Sequence, residues 1–214
     1  MTIGLITLTA GVYLLQVSGL QTGAVASFAV VPNELLKVNV LGGPAFGPND
    51  AVAVAERYTL LSYMFLHGDI FHLAANMLFL WVFGDNVEDA LGHAKFLVFY
   101  ALCGIAAGLT HVVTQPTSNI PLIGASGAVA GVIAAYLILH PRVRVWVLVF
   151  RFVPLRISAA LALGAWILTQ IVMLLLPEAG QVAWWAHVGG LMTGAVLVCV
   201  MRKHGVPLFD RGLA

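Results

Sequence analysis

Charge is scarce in this chain. Ten Lys and Arg and nine Asp and Glu among 214 residues make it 9% charged against 61% hydrophobic, with a formal net charge of +1. So little basic excess argues against nucleic acid as a partner. Cysteine is scarce too: Cys103 and Cys199 stand far apart without metal-ligand spacing, and both read as reduced core residues. No His-Glu-x-x-His occurs, which leaves a zinc hydrolase without its ligands, so no metal and no cofactor is expected. Lys37, Lys95 and Lys203 all fall outside the apolar runs, which disfavours a Ser-Lys dyad. Nor does any polar stretch have the length of a soluble domain.

What is present is apolar sequence in excess of what a soluble core requires, with a mean hydropathy of +0.98. Six runs, roughly 3–20, 70–90, 94–114, 124–140, 157–176 and 183–201, are each read as a membrane span. They are too numerous for a signal peptide or a single anchor. The fold expected is therefore all-α: a polytopic six-helix bundle over residues 1–202, with a long first extracytoplasmic loop and a short cytoplasmic tail, 203–214. Lys and Arg set the orientation. Arg142, Arg144, Arg151 and Arg156 follow the fourth run, Arg202, Lys203 and Arg211 follow the sixth, and Lys95 follows the second. Both termini are accordingly expected in the cytoplasm, and the first, third and fifth connections outside.

The first span, with only Thr, Ser, Tyr and Gln as polar residues, reads as an outer, lipid-contacting helix with no chemistry to offer. Turn signals at Pro32-Asn33, Gly42-Gly43-Pro44 and Gly47-Pro48-Asn49-Asp50 break the loop of residues 21 to 66, which is expected to pack on or in the interface. The arginine-bearing loop after the fourth span, with Trp146, Phe150 and Phe152, reads as a cytoplasmic interfacial segment. Asp85 and Glu88, at the inner end of the second span, read as hydrogen-bonding groups among helix and loop ends. The fifth span is bulky and apolar, with Trp166 and Gln170.

Polar residues inside the runs carry the functional reading, because imidazole and amide groups are costly in hydrocarbon. His72 and Asn76 are four apart and share one face of the second span, with His67 just before it. Ser126 opens the fourth span within Gly124-Ala125-Ser126-Gly127, and His187 lies near the start of the sixth. Taken singly, each has a structural reading as helix packing or an interhelical hydrogen bond. Together they converge, since the second, fourth and sixth spans all run inward, so that one or two turns below the outer surface His72, Asn76, Ser126 and His187 share a depth. Serine is a poor nucleophile without a base, and imidazole suits that role near neutrality. The roles expected are Ser126 as nucleophile and His187 as general base. Asn76, the Ser126 backbone N–H and His72 would serve as oxyanion donors. No acid lies at this depth in the even spans to orient His187, so the expectation is a dyad. Gly127-x-x-x-Gly131 and Gly190-x-x-x-Gly194 offer small faces through which the fourth and sixth helices could meet.

In this combination the chain resembles the rhomboid family of intramembrane serine proteases. The matching residues are His67, His72-x-x-x-Asn76, Gly124-x-Ser126-Gly127 and Ala186-His187-x-x-Gly190-x-x-x-Gly194. The resemblance implies the same roles for Ser126, His187, His72 and Asn76, and a structural part for Glu88. It also implies transmembrane segments of other membrane proteins as substrates, with the lipid bilayer as surroundings, in a bacterial cytoplasmic (inner) membrane. A catalytically silent rhomboid-like binder of membrane proteins is the alternative. Two positions depart from the family pattern: the Trp-Arg pair many members carry in the first loop is replaced by Glu56-Arg57 without the Trp, and Ala130 stands where some members place a Tyr under the histidine.

Overall fold

A computed structural model describes residues 1–19, 22–41, 50–52, 54–149, 153–176 and 182–210. The turn signals within 42–49, Arg151 and Arg211, and all of the Pro177 to Val182 connection except Val182 lie outside the described residues. In chain order the elements are α1 (Thr2–Val17), α2 (Thr22–Phe28), α3 (Pro32–Leu41), α4 (Glu56–Ser62), a 3-10 turn (Tyr63–Phe65), α5 (Ile70–Leu91), α6 (His93–Thr114), α7 (Ser126–Leu139), β1 (Arg144–Val149), β2 (Val153–Ser158), α8 (Ala159–Leu174) and α9 (Trp184–Met201).

Each of the six apolar runs forms a helix, and local chemistry sets where the helices start and stop. Asp69 caps α5, its carboxylate accepting from the amides of Phe71 (2.7 Å) and His72 (2.8 Å). Gly92, at φ +89°, separates α5 from α6. Among the described residues α5, α6 and α9 are long and apolar enough to cross a membrane, while α1, α7 and α8 are apolar but have only 16, 14 and 16 residues. The six helices alternate in direction. Gln16, late in α1, meets His67 just before α5, while Thr2 meets Glu88 at the other end. Thr110, late in α6, lies against Gly189, early in α9, and Gln170, late in α8, lies against His187.

The core centres on α7, buried on all sides from Gly127 to Tyr136. The α6 face Phe96, Phe99, Tyr100, Cys103 and Ala107 packs there at helical spacing. On α9, the inward stripe is small (Ala186, Gly190, Gly194, Val198), whereas Met192, Val196 and Val200 are exposed on another face. A Cβ on Gly194 would fall 2.5 Å from the Gly131 Cα, and one on Gly131 would fall 3.1 Å from the Gly190 carbonyl oxygen. Glycine at these positions is thus what lets α7 and α9 touch backbone to backbone.

Two sequence-based expectations need correction, the all-α fold and the start of the fifth span at Ile157. The loop after the fourth span is a β-hairpin in which Trp146 pairs with Arg156 and Leu148 with Pro154. Its β-branched, alternating sequence favours strand over helix, and Pro is tolerated in a ribbon that has no central strand. The second strand takes Ile157, so α8 begins at Ala159, where Ser158 accepts from the Leu161 amide (3.2 Å). The first connection carries three short helices, of which α3 and α4 pack on α6, and a Val30–Leu122 bridge ties it to the loop before α7. α1 is an outer helix, with Ile3, Leu8, Leu14 and Leu15 exposed, and it is tied down where Thr2, Leu5 and Thr9 are buried and where Gln16 clamps His67. At the opposite end Glu88 accepts from the Thr2 amide (2.7 Å) and pairs with His93, as the helix-end reading anticipates. The tail is folded back as well, with the Phe209 and Asp210 amides capping the Ile138 and Leu139 carbonyls of α7.

Candidate active site

Ser126 is the first residue of α7, and the chain reaches it through Gly124 at φ +121°, a conformation that disfavours any other residue. His72 requires glycine there too, because a Cβ would fall 2.7 Å from its ring Cε1. The amides in the first turn of a helix have no intrahelical acceptor, so the half-buried Ser126 hydroxyl sits beside unpaired N–H groups. His187, in the first turn of α9 and 7% exposed, brings Nε2 to 2.8 Å from Ser126 Oγ. The glycine contact between α7 and α9 is what holds the two starting turns this close.

Asn76 is buried and donates from Nδ2 to the His72 carbonyl (3.0 Å), keeping its second amide hydrogen for another acceptor. His67 is fully buried: its ring meets His72 edge-on at 5.0 Å, and its Nε2 lies 3.5 Å from the Ala125 amide. Burial first, then the neighbouring His72, pushes its pKa down to about 4, so the ring is neutral. Asp69, exposed at the mouth of the same turn, is held below the usual carboxylate range by the amides it caps. Gln16 grips the His67 backbone at both groups, donating to its carbonyl (2.7 Å) and accepting from its amide (3.2 Å). The loop that carries His67 is thereby fixed between α1 and α7.

A second hydrogen-bond partner of His187 escapes the sequence reading. Gln170 Oε1 lies 2.7 Å from His187 Nδ1, and Trp166 and Trp184 stand with ring centroids 6.2 and 5.8 Å from the imidazole. Ala130, by contrast, is fully buried between α7 and α9, where a Cβ on Gly190 would come within 3.4 Å of it. A tyrosine has no room there, and α8 supplies the support instead. The signal was legible: Gln170 is an amide in an apolar helix, close to the end where the other polar groups collect.

Among the described residues, Glu34, Asp50 and Glu56 place carboxylate oxygens within 4.8 Å of one another, in the first connection and with neither Ser126 nor His187 among them. Burial, and next the Asp50 charge, raises the Glu34 pKa above its ordinary value.

Comparison with known proteins assigns the chain to a family. The chain is similar to the mitochondrial Rhomboid protein 1 of Saccharomyces cerevisiae, 29% identical over 147 residues, covering 67% of this chain and 41% of the relative. It is similar to the Rhomboid protease GluP of Bacillus subtilis, 40% identical over 95 residues, 44% of this chain and 18% of the relative. It is similar also to the mitochondrial Presenilin-associated rhomboid-like protein of Homo sapiens, 31% identical over 158 residues, 70% of this chain and 39% of the relative. In each case the match spans less than half of the relative's length. The rhomboid domain itself matches residues 54–204, from just before α4 to just past α9. That stretch covers more than half of the chain and takes in the helices that carry His72, Asn76, Ser126 and His187, and this integral membrane protein belongs to the rhomboid family.

Proposed function

We propose that the protein is an intramembrane serine endopeptidase that cleaves transmembrane segments of other membrane proteins. The observation that carries this reading is the 2.8 Å contact between Ser126 Oγ and His187 Nε2, on two helices whose glycines leave no slack between them. As Oγ attacks the scissile carbonyl, His187 Nε2 takes its proton and then delivers it to the departing amine. Water next attacks the acyl-serine, with His187 again accepting the proton, and Ser126 is restored. Negative charge on the tetrahedral oxygen falls to the Ser126 N–H and to Asn76, with His72 as a further donor.

The chain crosses the bilayer six times in this reading, with both termini cytoplasmic and the site near the outer surface. Alternating helix directions support it, as does the gathering of Arg142, Arg144, Arg156, Arg202 and Lys203 on connections at the end away from Ser126. A bacterial inner membrane suits that arrangement. Substrate is a helix that must be unwound locally, since an intact helix hides its carbonyls.

A fluorophosphonate probe tests the chemistry. Wild-type protein in detergent is expected to label, and Ser126→Ala is expected to lose both labelling and cleavage of a transmembrane substrate. Folded wild-type protein that neither labels nor cuts would establish the silent membrane-protein binder instead.

A further inference from the structure

We propose that Gln170 is a positioning residue that holds His187 in the tautomer its role as base requires, an inference that rests on the protease reading above. Gln170 is 4% exposed on an apolar helix, where an amide must find partners within the protein. Its Nε2 donates to the Trp166 carbonyl (3.0 Å) and to Thr169 Oγ1 (3.1 Å), both on its own helix. Rotating the amide by half a turn would set its oxygen against the Trp166 carbonyl, two acceptors facing each other. The helix thus fixes which way the amide points, and Oε1 is the atom presented to His187.

The consequence passes to the imidazole. Oε1 only accepts, so at 2.7 Å His187 Nδ1 must carry the hydrogen. A neutral imidazole has one ring hydrogen, and with Nδ1 holding it, Nε2 is left with a bare lone pair 2.8 Å from Ser126 Oγ. That is the state in which the ring can accept the serine proton. After the transfer both ring nitrogens are donors, and Oε1 still receives Nδ1–H. The base is therefore oriented from α8, a different helix from the two that bring Ser126 and His187 together.

A packing role and a positioning role diverge in three measurements. Gln170→Met keeps the volume and removes the acceptor, and it is expected to lower kcat by about 10–100-fold with KM nearly unchanged, the scale for losing a group that orients a functional imidazole. Gln170→Glu keeps an acceptor at the same reach and is expected to retain turnover at neutral pH, with the acid limb of its pH–rate profile moved to higher pH. Nitrogen-15 NMR of histidine-labelled protein, with His187 assigned from the spectrum of His187→Gln, is expected to show Nδ1–H alone in the wild type and mixed tautomers in Gln170→Met.

Wild-type protein with Nε2 protonated overturns the proposal. So does Gln170→Met with wild-type kcat, pH profile and tautomer. The tautomer readout on wild type requires no activity, so it decides the positioning role even where the protease reading fails on fluorophosphonate labelling.

Discussion

Asn76 has two amide hydrogens and spends one on the His72 carbonyl. The other is the oxyanion donor in the proposed mechanism. Asn76→Ala is expected to lower kcat by about 10²–10³ with little change in KM, because the contact forms only as charge develops on the substrate oxygen. Single-turnover cleavage in detergent checks this, and His72→Ala alongside it decides between the histidines. Fluorophosphonate labelling that survives loss of His187 but vanishes with His72 would reverse their roles. At this scale the polar residues of the second, fourth and sixth runs were readable because hydrocarbon makes each one conspicuous. Gln170 and Gln16 obey the same rule, yet they lie on the fifth and first runs, and a search for an orienting acid in the even-numbered runs passes over them.

Among the elements, α7 and α9 bear the closest packing, and side-chain size is what permits it. Gly194 meets Gly131 backbone to backbone, so Gly194→Leu has no flexible neighbour to displace. It is expected to destabilise the fold by more than about 3 kcal/mol, measured by denaturant unfolding in detergent, and to separate Ser126 from His187. Gly164 on α8 is the control, since nothing lies within 4 Å of a Cβ there. Gly164→Ala should be neutral or slightly stabilising, as alanine is the better helix former by about 1 kcal/mol. Wild-type stability in Gly194→Leu would contradict the close α7–α9 contact. Periodicity and small-residue spacing announce these two helices in advance. They could not announce the β-hairpin, because alternating β-branched residues beside arginines also suit an irregular segment at a membrane surface.

Across the whole molecule, α8 stands apart from the tightly packed set of α5, α6, α7 and α9. Its named ties to that set are few: Trp166 against Phe79 of α5 (6.0 Å between rings) and against His187, and Gln170 on His187. We expect substrate to pass between α8 and α5. A bifunctional thiol reagent joining Phe79→Cys to Trp166→Cys, with exposed Cys199 first replaced by Ser, should block cleavage of membrane substrates while a small fluorophosphonate still labels Ser126. Undiminished cleavage after complete cross-linking would reject that path.

The amino-acid sequence by itself determined that this chain lives in a membrane and that its helices pair through glycines. It also determined that four polar groups share one depth, since each of these follows from composition and from spacing along a helix. Only the tertiary structure decided which groups touch. The 2.8 Å from Ser126 to His187 depends on how far α9 sinks into α7, and the Gln170 contact depends on the rotation of a helix that is apolar apart from Thr169 and Gln170. Gln16 reaches His67 across 51 residues of chain, and the Asp210 amide reaches the Leu139 carbonyl across the folded-back tail. Separations of that length leave no periodic trace in a sequence, because the register between two helices is set by the packing of all their neighbours at once.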